Sequence, residues 1–267
     1  MIRQPAVAGR FYPDDAALLR RQVDGFISPR QKKIRALACV VPHAGYMYSG
    51  HVAGAVYGAL ELPSRFLLIG PRHFPRGERL AILSDYDWRT PLGDARIDLP
   101  LATELRRACP LLREDAVAHE TEHSLEVQLP FLQRLAGNFT FVPIVLGTDR
   151  FDAFEALGHA VAQAIRDGGE PVLIIARSDM NHYESDAVTR LKDRMAIDMI
   201  MRLDPRGLYD TVRRESISMC GYGPTVTMLV AAKDLAATEA ELVRYATSGD
   251  VNNDREQVVG YAGIVVR

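Results

Sequence analysis

With 267 residues, 48% of them hydrophobic and 25% charged, the chain is long enough to enclose one large α/β core or two small ones. Its 32 basic and 34 acidic residues leave a net charge of -2, which removes the field that would draw nucleic acid or an anionic membrane. The opening MIRQPAVAGRFYP lacks the apolar run of a signal peptide, three cysteines make no disulfide framework, and no stretch approaches the roughly 20 apolar residues that cross a bilayer, so a cytoplasmic location is expected.

A helical pattern near 14–26 leads into the first apolar run, IRALACVVP at 34–42, and a second pattern near 50–60 leads into RFLLIG at 65–70. Residues 79–98, with Trp88 and the turn-like TPLGD, read as an excursion from the main sheet with a structural role. Helical patterns near 100–108 and 124–135 precede FTFVPIVLG at 139–147, and one near 152–167 precedes PVLIIA at 171–176. Two more, near 186–202 and 224–236, precede VVGYAGIVV at 258–266. Runs this short and this rich in branched residues read as buried strands. Their alternation with helices predicts one α/β domain over 1–267, with a mostly parallel central sheet flanked by helices.

The unusual polar residues fall where three of these strands end. The first runs into HAGYMYSG, the second into PRHF and the fourth into RSDMNHYES, and each segment carries one histidine. Ligands of open α/β sheets sit outside the carboxyl ends of the strands, so a site is expected there. His43 alone reads equally as a metal ligand or a structural hydrogen-bonding group. His73, at the end of the next strand, can meet it at a common point, and two imidazoles there favour a metal. Cys220 opens CGYGPTVTML, a glycine-rich turn into a helix whose N-terminus favours a thiolate, and is the third candidate ligand. Cys39, inside a strand, and Cys109, beside Pro110, read as small buried hydrophobes.

Asp179 and His182 share the loop SDMNHY, where a histidine near a metal suits a proton acceptor and a carboxylate would fix its tautomer. The run AHETEHSLEVQLPFL sets His119, Glu120, Glu122, His123 and Glu126 around a helix start, with Ser124 as a possible cap. Any of them could be a ligand. Adjacent positions face different ways, so at most two converge, and a supporting role fits equally well. There is no Walker loop, Gly-x-Gly-x-x-Gly, Gly-x-Ser-x-Gly or Cys-x-x-Cys.

In order along the chain, AVAGRFYP, PHAGYMYSG, GPRHF, WRTPLGDARID, AHETEHSLEVQLPFLQ, SDMNHY, MCGYGPTV and SGDV with VVGYAG resemble the motifs of the Memo family, also called AmmeMemoRadiSam system protein B. The resemblance implies the fold of class III extradiol dioxygenases, in which two histidines and a glutamate hold non-haem iron and another histidine is the base. Carried over, His43 and His73 match the ligand histidines and His182 the base, while Cys220 stands where those enzymes have the carboxylate. A thiolate is softer and also suits copper or zinc. The chain departs from the commoner pattern at Arg72, Phe74 and Arg177, and the two arginines at the mouth could bind a carboxylate or phosphate.

The strand-end residues and the resemblance together lead to the expectation of a non-haem metal-binding protein, iron first among divalent metals. Its dioxygenase-like pocket would carry redox chemistry on an unknown small-molecule or peptide-borne substrate. The alternative is a non-catalytic peptide- or protein-binding module of the same fold, using His182 with Tyr46 or Tyr183. The family name adds AMMECR-like and radical-SAM proteins as expected partners; no nucleic acid or membrane is expected.

Overall fold

The computed structural model describes all of residues 1–267. All five apolar runs are strands, and they share one sheet. Arg65–Pro71 lies between Thr140–Leu146 and Leu173–Arg177, parallel to both, and Ala38–Val41 follows parallel to Leu173–Arg177. Val258–Val266 then pairs antiparallel with Ala38–Val41. Alternating side chains of these strands enter two cores. Leu67 and Ile69 pack with the helices Leu99–Ala108, Phe151–Gly168 and Tyr222–Asp234, whereas Phe66 and Leu68 pack with Ala16–Phe26, Tyr46–Ala59 and Leu129–Leu135. Both faces are covered, which is why the strands read as unbroken apolar runs rather than alternating ones. Each fully buried aliphatic side chain contributes roughly 1.5–3 kcal/mol. Cys39 and Cys109 lie in these cores, packing as the sequence suggests.

Residues 79–98 are not an excursion from the sheet. Leu80–Ile82 pairs antiparallel with Thr140–Leu146, and Gly93–Ile97 pairs parallel with the same strand through Arg96 and Ile97. Leu80–Ile82 is apolar and buried but only three residues long, and Gly93–Ile97 carries Asp94 and Arg96, so neither registers as an apolar run, yet backbone pairing holds both in the sheet. Trp88 between them is fully buried, with the Arg3 guanidinium 4.0 Å above its ring.

Apart from elements of two to four residues, two carried no sequence signal. Ala240–Thr247 pairs antiparallel with Val258–Val266, and its largely half-buried face lacks a continuous apolar run. Pro205–Arg214 is a helix capped by Asp204, although Pro-Arg-Gly at its start resembles a loop. The region 124–135 is a 3-10 turn, Glu126–Gln128, followed by the helix Leu129–Leu135. Ser124 does not cap it: its hydroxyl is buried without a partner.

Three loops leave the carboxyl ends of the parallel strands on one edge. His43 comes two residues after Val41, His73 two after Pro71, and Ser178–His182 follows Arg177. A fourth segment, 119–126, is drawn to the same edge by the N-terminus. Arg3 donates to the carbonyls of His119 and Glu122 and to the Glu126 carboxylate at 2.6 Å. No helix is long and apolar enough to cross a membrane.

Candidate metal centre

Three histidines meet at this edge. One ring nitrogen from each of His43, His73 and His123 lies within 4.8 Å of the others, and the ring centroids are 4.5–5.9 Å apart. Of the expected pair, both are present. His123 is the partner that sequence reasoning left unresolved among five candidates, because spacing alone could not say which side chain of a compact non-helical loop faces inward.

Behind His73 stands Glu122, one oxygen 2.8 Å from Nδ1 and the other accepting the His73 backbone N–H at 2.8 Å. Such a carboxylate fixes the imidazole so that Nε2 faces outward, the arrangement that supports metal-binding histidines. The electrostatics agree. Burial opposes charge on His73, but the hydrogen bond and charge of Glu122 prevail and raise its pKa. Burial likewise opposes charge on Glu122, yet His73 and the N–H groups of His73 and Ser124 hold its pKa down to about 2. The other two histidines are driven neutral. Burial, reinforced by the neighbouring cations, lowers His43 well below the usual range and His123 to about 4. Neutral imidazoles are the form that binds metal. Replacing Glu122 with Gln should leave the fold intact and weaken zinc binding about 10- to 100-fold in a chelator competition; unchanged affinity would remove its supporting role.

Cys220 lies on the other side of His43, its Sγ 3.4 Å from Nε2. Metal–sulfur and metal–nitrogen bonds of about 2.3 and 2.0 Å at tetrahedral or slightly smaller angles place co-ligands about 3.3–3.6 Å apart, so this spacing fits two donors of one ion. Burial raises the thiol pKa, so a cation would have to displace its proton. The turn that carries it depends on Gly221. A Cβ there would fall 1.9 Å from the Arg177 carbonyl oxygen and 2.6 Å from Ser178 Cβ, a clash that only backbone movement can relieve. Gly221→Ala should therefore cost about 1–3 kcal/mol in denaturant unfolding and weaken metal binding with it; full stability in that variant would mean that the turn tolerates a side chain there.

Asp179 and His182 share the edge but are not bonded to one another. Asp179, only 5% exposed, accepts the backbone N–H of His43 at 2.7 Å and so braces that loop. Its pKa is raised by burial. The group that orients His182 is Ser218, whose carbonyl lies 2.9 Å from Nδ1 and whose hydroxyl receives the His182 N–H. A carbonyl only accepts, so Nδ1 carries the hydrogen, and in the neutral ring the lone pair is on Nε2.

The two arginines do not form an anion-binding mouth. Arg177 is fully buried and donates to the carbonyls of Pro42 and Ser124, joining two loops of the site. Arg72 donates to the carbonyls of Gly77 and Glu78. Loop carbonyls without a ladder need such donors, and that need claims both side chains. Tyr46 is also buried, donating to the Val127 carbonyl at 2.6 Å, whereas Tyr183 is 71% exposed.

The chain is a single-domain, mostly parallel α/β sheet whose carboxyl edge gathers three imidazoles that could hold a metal, and comparison with known proteins narrows it. The profile of Memo-like proteins matches residues 3–265. A MEMO1 family protein of Methanopyrus kandleri is 41% identical over 281 aligned positions, covering 100% of this chain and 99% of its own. One of Methanothermobacter thermautotrophicus is 40% identical over 274, covering 98% and 99%. This chain belongs to the Memo family. The crystal structure of an uncharacterized protein from Escherichia coli K12 shares the fold, with a TM-score of 0.58 at 13% identity over 86% of this chain and 100% of that one. The mostly parallel α/β fold expected from the sequence is thus the fold of the chain, and it is shared with that structure.

Proposed function

We propose that the chain holds one divalent metal, iron foremost, through His43, His73 and Cys220, and uses it for redox chemistry on a small or peptide-borne substrate. The observation that carries this reading is the convergence of the imidazoles of His43, His73 and His123, with the Cys220 thiol 3.4 Å from His43 Nε2. The donor set fits a soft-to-borderline ion, and copper or zinc could replace iron. Bound iron would supply the electron transfer.

The protein's own residues do the rest. Glu122 orients His73, and Asp179 fixes the His43 backbone. His182, with Nδ1 tied to Ser218 and Nε2 bearing the lone pair, is the proton acceptor. A second reading, a non-catalytic module that grips a peptide or protein, is favoured by Tyr183, which stands 71% exposed at φ 59 beside His182. A tyrosine in the left-handed region is strained, and such strain collects at functional positions. AMMECR-like and radical-SAM proteins are the partners proposed for it.

Protein purified without oxygen, analysed for metal and reloaded with Fe(II), separates the two. The enzyme reading expects oxygen consumption that His182→Ala abolishes while the metal stays bound. Unchanged turnover in that variant would remove the base assignment, and absence of any oxygen uptake would leave the binding reading.

A further inference from the structure

Beside the imidazoles, with His123 in its lining, a cavity of about 970 Å³ opens between the N-terminal segment and the loops near 74–76 and 116–123. That volume suits a drug-sized molecule. One end is formed by His123, with the Phe11 ring 4.7 Å from the imidazole, and Phe74, Leu83 and Val117 line the walls. Phe74 and Val117 are 44% and 46% exposed, apolar surface that a ligand would cover.

The charges are unbalanced. Arg3, Arg10, Arg76 and Glu120 are the charged residues of the lining. Arg3 is neutralised by Glu126 at 2.6 Å, and Arg76 stands 3.8 Å from Glu120. Arg10 has no carboxylate, carbonyl or hydroxyl partner for its guanidinium. It lines the same cavity as His123. The cavity therefore presents one uncompensated positive charge, on Arg10, beside apolar walls.

We infer that this cavity binds a small organic acid, its carboxylate on Arg10 and its apolar body against Phe11, Phe74 and Val117. A planar guanidinium fork matches a carboxylate with two parallel N–H···O bonds. One free cation balances a single negative charge, whereas a phosphate dianion would keep a surplus charge and face Glu120. The inference rests on the proposed metal function only in taking the His123 end as the reacting end; the binding itself needs no metal.

The test is calorimetric titration of the metal-free full-length chain with 4-phenylbutyrate, 4-phenylbutanamide and phenyl phosphate, in wild type, Arg10→Gln and Phe74→Ala. Arg10 is exposed, so its variant folds. The acid should bind about tenfold or more tighter than the amide, the worth of a charge-assisted hydrogen bond. Arg10→Gln should erase that difference without changing the amide, and Phe74→Ala should weaken both. No binding of the acid at millimolar concentration, an acid–amide difference that survives Arg10→Gln, or phosphate binding tighter than carboxylate would each overturn the inference. Because no metal is present, such a failure leaves the metal reading standing, and loss of the metal reading would leave a positive titration intact.

Discussion

His43→Ala, His73→Ala and Cys220→Ser should each lower Co(II) affinity by more than about a hundredfold, beyond what removing a supporting residue costs. His123→Ala should lower it less. The ordering follows from position. The 3.4 Å between Cys220 Sγ and His43 Nε2 suits two donors of one ion, whereas His123, whose ring nitrogen also lies within 4.8 Å of those of His43 and His73, packs against Phe11 and lines the neighbouring cavity as well. Thiolate ligation also has a signature that imidazoles cannot imitate, an intense ligand-to-metal absorption with Co(II) or Cu(II). That band should persist in Cys39→Ser and Cys109→Ser, whose sulfurs lie in the two cores, and vanish in Cys220→Ser. If Cys220→Ser keeps band and affinity while His123→Ala loses the metal, the site is a three-histidine centre and the thiol is a bystander.

How far the sequence spoke for itself depended on the physics of each region. The parallel strands were legible because both faces are buried, so their composition announces them: Leu67 and Leu68 enter opposite cores yet both must be apolar. His43 and His73 were legible because they follow directly from strand ends, where topology alone brings side chains together. His123 and Glu122 were not. Their positions depend on the tertiary clamp of Arg3 on the carbonyls of His119 and Glu122, a contact across more than a hundred residues that no local periodicity encodes. Arg177 misled for a related reason. An arginine at a strand end is ordinarily solvated, but here the carbonyls of Pro42 and Ser124 need a buried donor. The pairing of Asp179 with His182 rested on nearness in sequence, and the folded loop turns the two side chains to different partners, His43 and Ser218.

His119→Gln should narrow its stability gap to wild type by about 2.5 kcal/mol between about pH 7.5 and 4.5, read by urea unfolding. His119 is fully buried, with Nδ1 2.9 Å from the Asp115 carbonyl and Nε2 without a partner. Burial lowers its pKa to about 4, and the charge of Arg3 adds to that effect against the Asp115 hydrogen bond. A histidine depressed in the folded state is protonated first in the unfolded chain, whose imidazole titrates near 6.5. The stability it confers is therefore complete above about pH 6.5 and is lost as pH falls towards the folded value, after which both states are charged and the loss stops. Asp193 acts in the opposite sense across much of the same range. Its burial raises its pKa to about 7, so the stability of its neutral form is complete below the usual carboxyl range and is lost as pH rises through 7. The two slopes offset one another in any single protein, which is why the prediction is a difference between wild type and variant at each pH rather than a trend in either. A gap that stays constant from neutral to acid would mean that His119 is protonated as easily in the fold as in water, and that the buried clamp around Arg3 is open to solvent.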